Sequence, residues 1–249
     1  MLKKLIKHDF MNTWKVITFL CAIVLVAGIV LSVLTMFEVG SKDGLDVVNI
    51  LAFLLFLAYV VAIPTIAVIA IIYLVSYYRK KLYSNQGYLS FTLPVRNSQV
   101  VLSKMIVSGI WMVLGHICVL ASITMVVAAA TGNDFFMKFG ETTGNGDLYI
   151  AITALSIPNL LSYFFSISVG QTRRKNKTAW AVICQFIIYF ILLVWMIFEL
   201  RYIGEVSWHR TGQQIAEMIT IKSIIYSIVL SLFFGGGSAF IVNKKLNLE

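Results

Sequence analysis

The sequence predicts an all-α integral membrane protein with six transmembrane helices, an N-terminal amphipathic interfacial helix and a short cytoplasmic helix between spans two and three. Three observations carry the membrane part of this expectation. Of the 249 residues, 59% are hydrophobic and only 12% are charged, whereas a soluble domain holds about 45–50% and about 25%. Six apolar segments each reach the roughly 20 residues that a helix needs to cross a hydrocarbon core of about 30 Å. The 20 lysines and arginines gather in short clusters at the ends of those segments, where they act as topology signals.

Taken in order, Leu2, Leu5, Ile6, Phe10 and Trp14 share one face of a helix over residues 2–14, with Lys3, Lys4, Lys7 and Asp9 mostly elsewhere. That is the pattern of a basic helix lying on the inner leaflet. The spans follow at about 16–37, 47–77, 102–131, 148–170, 178–199 and 221–242. They are helices because backbone groups in hydrocarbon must be satisfied within the segment. The first span is longer than the apolar core of a signal peptide, about 7–15 residues, and is read as retained. Pro64 and Pro158 each remove a backbone hydrogen bond inside a span, so each predicts a kink. Gly235, Gly236 and Gly237 stand together in the sixth span, where small residues permit close helix packing; a bend used in motion is the alternative.

Charge fixes the expected orientation. The N-terminus, the second–third and fourth–fifth connections and the C-terminus carry 15 cations and two acids, against five cations and nine acids on the other side. Positive residues stay inside, so both termini are expected in the cytoplasm. The net charge of +9 comes from these clusters and predicts no nucleic-acid partner. The residues form a single transmembrane domain, 1–249, with short outer connections.

Chemistry is sparse. Cys21, Cys118 and Cys184 each sit in an apolar run without a close-spaced partner in sequence, so no metal or redox motif is expected. His116 is the only ionisable residue well inside a predicted span; intramembrane acids and bases mark proton relays and ion sites. The Gly235–Ser238 run resembles a serine-protease loop only loosely. The chain has no HExxH and no GxxxxGK[ST] phosphate loop, so neither zinc-dependent proteolysis nor ATP binding is expected of it. It is not expected to be an enzyme, and no cofactor is expected in it.

The longest polar interruption on the basic side, residues 78–101, remains. It opens with Tyr78, Arg79, Lys80 and Lys81, continues with Asn85-Gln86-Gly87-Tyr88-Leu89-Ser90-Phe91-Thr92-Leu93-Pro94-Val95 and leads to Leu102-Ser103-Lys104. Gly87 permits a sharp turn. Tyr88, Leu89, Phe91 and Leu93 supply an apolar face, and Pro94 disfavours helix in the residue before it. A short apolar helix so bounded suits a groove on a soluble partner.

These residues resemble the cytoplasmic loop of bacterial ABC-2-type permeases, the membrane subunits of ATP-binding-cassette exporters, in versions common in Firmicutes, which implies a bacterial plasma membrane. Ser166-Ile167-Ser168-Val169-Gly170-Gln171 with Arg173, Arg174, Lys175 and Lys177 resembles the end of the fourth span in that family. The resemblance implies that Asn85, Gln86, Gly87, Tyr88, Leu89, Phe91, Leu93 and Pro94 form the cytoplasmic coupling helix that docks an ABC ATPase subunit, which holds the Mg-ATP. It also implies pairing with a second permease copy or a related permease. Many members carry an acid before the glycine, where this chain has Asn85-Gln86. The cargo implied is hydrophobic or amphipathic: an antimicrobial peptide, a drug or a lipid. An uncharged aromatic set (Phe53, Phe56, Tyr59, Tyr163, Phe164, Phe165, Phe186, Tyr189, Phe190) fits such a cargo and fits lipid-facing helices equally. Two other classes fit the same residues: a membrane sensor or scaffold recruiting a cytoplasmic protein, and an ATP-independent carrier or channel.

Overall fold

The structure, a computed structural model, describes residues 2–40, 46–83, 97–131, 143–173, 175–207 and 211–245. All but five of these lie in six α-helices, and no strand occurs among them. The helices are α1 (Leu2–Gly40), α2 (Asp46–Tyr83), α3 (Asn97–Thr131), α4 (Thr143–Gln171), α5 (Lys177–Ser207) and α6 (Gly212–Lys245). Each contains a stretch long and apolar enough to cross a membrane. The all-α, six-span fold class read from composition therefore holds.

The helices are longer than the expected spans, and three boundaries change. First, α1 runs from Leu2 to Gly40 as one helix, so residues 2–14 are not a separate element. Nothing from Leu2 to Ala27 is glycine or proline, and a helix continues where no breaker stops it. Second, α2 continues to Tyr83 and α3 starts at Asn97. The connection expected over 78–101 is helical at both ends. Third, the polar stretch 201–220 is mostly helix. Thr211 and Gln214 form the start of α6: the Thr211 N–H donates to Gln214 Oε1 at 3.3 Å and Ile215 N–H to the Thr211 carbonyl at 3.1 Å, half of a capping box. Pro64 and Pro158 lie inside α2 and α4 without ending either.

Large apolar side chains line the outside as well as the interior, and several serines are buried. Leu232, Phe186, Phe190 and Phe19 are well exposed, while Ser103, Ser122, Ser162, Ser166, Ser168 and Ser238 are buried. In lipid the tails are as apolar as leucine, so small and hydroxylated residues make the helix contacts. On α1 the buried positions among the described residues are Asp9, Thr13, Ile17, Val24, Gly28 and Leu31, whereas Trp14 is exposed. Of the apolar face Leu2, Leu5, Ile6, Phe10 and Trp14, the first four are half-buried and Trp14 is turned outward. The aromatic set divides likewise: Tyr59 and Phe164 are buried, while Phe53, Phe56, Phe186, Tyr189 and Phe190 are exposed.

The chain forms two compact units. The second comprises Phe10–Tyr73 and Ile110–Thr143. Its core is Leu31, Tyr59 and Val126, packed by Ala27, Leu55 and Ile63. Ser122 fastens it by donating to the Val24 carbonyl at 3.0 Å, which leaves its oxygen to accept from the Tyr59 hydroxyl at 2.7 Å. A Cβ on Gly28 would run into the Ser122 side chain, so only glycine permits that approach. Nearby, Phe10 stacks on Trp111 with ring centroids 4.5 Å apart, and the Trp111 indole donates to Thr13 Oγ1 at 2.8 Å.

The first unit comprises Met1–Asp9, Leu74–Gly109 and Gly144–Glu249, and it contains the candidate site. Its α4–α5 turn is tight. A Cβ on Gly170 would lie 2.5 Å from the Lys177 carbonyl. Asn176 takes φ 53°, a left-handed conformation that asparagine tolerates better than most residues.

Candidate functional site

Residues Asn85, Gln86, Gly87, Tyr88, Leu89, Phe91, Leu93 and Pro94 lie outside the described residues. The helix ends on either side of them are described, and both are fastened by buried polar groups.

On the α2 side, Tyr78 and Leu82 are fully buried. Tyr78 stacks on Phe164 of α4, with centroids 4.1 Å apart and planes 7° from parallel. Its hydroxyl lies 3.1 Å from Ser168 Oγ, and that of Tyr83 lies 2.8 Å from the same atom. Ser168 Oγ donates its single hydrogen to the Phe164 carbonyl at 2.9 Å. Both tyrosines are therefore donors to it. One serine of α4 holds the last two turns of α2.

On the α3 side, Val100, Val101 and Ser103 are buried, and Lys104 and Asp9 are each only 4% exposed. Lys104 Nζ lies 3.1 and 3.2 Å from the two carboxylate oxygens of Asp9. Ser103 Oγ donates to Asp9 Oδ2 at 2.8 Å, and the Tyr77 hydroxyl to Asp9 Oδ1, also at 2.8 Å. The charge pair is thus compensated by further hydrogen bonds, the condition for burying ions. Asp9 ties together the start of α1, the end of α2 and the start of α3. Sequence reading placed Asp9 on a polar surface and Lys104 at the mouth of a span. The signal that links them is tertiary, across 95 residues.

His116, the expected intramembrane histidine, bonds to its own helix: Nδ1 lies 2.7 Å from the Met112 carbonyl and so carries the proton on that nitrogen. Ser238 likewise donates to the Phe234 carbonyl of its own helix at 2.6 Å. Each hydroxyl or ring nitrogen is thereby engaged by a backbone carbonyl. Towards the other end of α5 and α6, Glu199 receives Lys222 Nζ at 3.2 Å and the Tyr226 hydroxyl at 2.7 Å.

The first unit also contains a cavity of about 400 Å³ walled by α2, α4 and α5. Arg79 and Lys177 lie at one end and Tyr163 and Tyr189 at the other. A hydrogen-bond ladder lines its wall. Ser166 Oγ donates to Gln185 Oε1 at 2.7 Å, Gln185 Nε2 to Ser162 Oγ at 3.0 Å, and the Tyr189 hydroxyl to Asn159 Oδ1 at 2.9 Å.

Fold and site define a multi-pass helical membrane protein whose second and third helices are anchored where they approach the connection at 84–96. No family model, curated protein or solved structure matches the chain.

Proposed function

We propose that this chain is the permease subunit of an ATP-binding-cassette exporter of the ABC-2 type, crossing a bacterial plasma membrane with both termini in the cytoplasm. It moves a hydrophobic or amphipathic cargo with energy from a separate ATPase subunit and works paired with a second permease. The segment Asn85–Pro94 is the element that docks the ATPase.

The observation that carries this reading is the anchoring of the helix ends around that segment. A docking element transmits force only if its displacement moves helices rather than being absorbed by loose connections. Here the α2 end is stapled to α4 through Ser168 and Phe164, and the α3 start to Asp9 through Ser103 and Lys104. Packed elements of this kind shift between discrete arrangements rather than deforming smoothly. ATP binding draws two docking segments together, and the cargo is carried if it binds one arrangement better than the other.

The test is co-expression with an ATPase encoded beside this chain. The expected result is a co-purifying complex with vanadate-sensitive ATP hydrolysis in reconstituted vesicles. A permease that purifies folded but without any ATPase refutes the reading and leaves a scaffold or carrier.

A further inference from the structure

The cavity between α2, α4 and α5 has the charge and length of a lipid site. Its charged groups are at one end only: Arg79 near the end of α2 and Lys177 at the start of α5, with no carboxylate among its lining residues. Arg79 Nη2 reaches Thr178 Oγ1 at 3.4 Å, which holds the guanidinium over the same helix start that carries Lys177. Guanidinium and ammonium groups together recognise phosphate, the first by its planar fork and the second as a point charge.

Away from that mouth the lining offers no charge. The Gln185 amide is taken up by Ser162 and Ser166, and the Tyr189 hydroxyl by Asn159 and Tyr163. What is left for a ligand is apolar wall, including Ile167, Val182 and Phe186. Val182 and Phe186 are exposed, so the groove is open along its side to hydrocarbon.

The dimensions agree. Twelve residues of α5 separate Lys177 from Tyr189, about 18 Å of helix. One leaflet contributes about 15 Å of hydrocarbon. A head held at Lys177 therefore places the end of its acyl chain near Tyr189. Beyond that residue a second cavity of about 500 Å³, lined by Leu155, Pro158, Leu192, Leu193 and Met196, continues the apolar surface.

We propose that this groove binds a phospholipid with an anionic head from the leaflet on the basic side, its phosphate against Arg79 and Lys177 and one acyl chain along α5 toward Tyr189. The site belongs to this chain alone and does not depend on an ATPase partner.

The experiment measures lipid binding to the purified full-length chain by native mass spectrometry, with thermal stabilisation in detergent as a second readout. The probes are phosphatidylglycerol, phosphatidylcholine with the same chains, and glycerol phosphate without chains. Phosphatidylglycerol is expected to bind and stabilise, and the other two only weakly. Arg79→Gln with Lys177→Gln should weaken phosphatidylglycerol about thirtyfold, given about 1 kcal/mol per cation near an anionic lipid surface, and leave phosphatidylcholine unchanged. Val182→Trp, on the exposed rim, keeps both charges but fills the chain path, and should also weaken phosphatidylglycerol. Equal binding of the two phospholipids, binding of glycerol phosphate as tight as that of the lipid, or indifference to both variants overturns the proposal. Should the double variant not fold, the Val182→Trp result and the comparison of the three probes decide it.

Discussion

Asp9 and Lys104 show how much a single buried pair can hold. Both are nearly inaccessible, and the carboxylate accepts from Lys104, Ser103 and Tyr77 together. Removing one member of such a pair strands the other charge, which costs about 3–5 kcal/mol, whereas replacing both with apolar residues of similar size is often close to neutral. Lys104→Met is therefore expected to destabilise the purified protein by about 3–5 kcal/mol. Asp9→Leu in that background should recover most of the loss, as read by denaturation in detergent in a double-mutant cycle. Equal, additive losses would mean that the two side chains do not interact. The sequence displayed both residues but not their partnership. Helical periodicity assigns Asp9 to a face, and only the fold shows that this face meets α3. Ser168 was part of a stretch singled out from the sequence, yet its role as common acceptor for Tyr78 and Tyr83 required their positions in space.

At the scale of the elements, hydropathy located every helix but not its ends or its packing face. Ends differ because the expected span lengths follow hydrocarbon thickness, while α2 continues through Tyr83 and α6 starts from the Thr211 cap. Protein contacts along α1 run through Asp9, Thr13 and Ile17, with Phe10 stacked on Trp111 and Trp14 turned outward, a pattern that periodicity alone does not specify. The glycine triplet of α6 is a sharper case. A Cβ on Gly237 would lie 2.7 Å from the Phe165 ring, one on Gly235 would make ordinary contact with Met105, and one on Gly236 would meet nothing within 4 Å. The three therefore serve different ends. Gly236→Ala is expected to be neutral or to stabilise by up to about 1 kcal/mol, through helix propensity alone. Gly237→Ala should destabilise by about 1–3 kcal/mol through overpacking. Melting temperatures of the two variants check the signs, and a common sign would show that the triplet acts as a unit, as a bend rather than a packing surface.

For the whole molecule, membrane character was legible because it rests on summed composition, which tertiary contacts cannot alter. The partition of charge along the sequence was equally plain. The proposed function rests on the Asn85–Pro94 stretch alone. The structure adds firm ends on either side of it: Tyr78 and Tyr83 on Ser168, Ser103 and Lys104 on Asp9. The measurement that bears most directly on a permease driven through this stretch is the amount of ATPase retained when the chain is affinity-purified from co-expressing cells. Unaltered chain is compared with a variant carrying Tyr88→Ser, Leu89→Ser and Phe91→Ser. The expected result is near-complete loss of the ATPase from the variant, with equal amounts of membrane-inserted chain. Retention of the ATPase at the unaltered level would contradict docking through these residues.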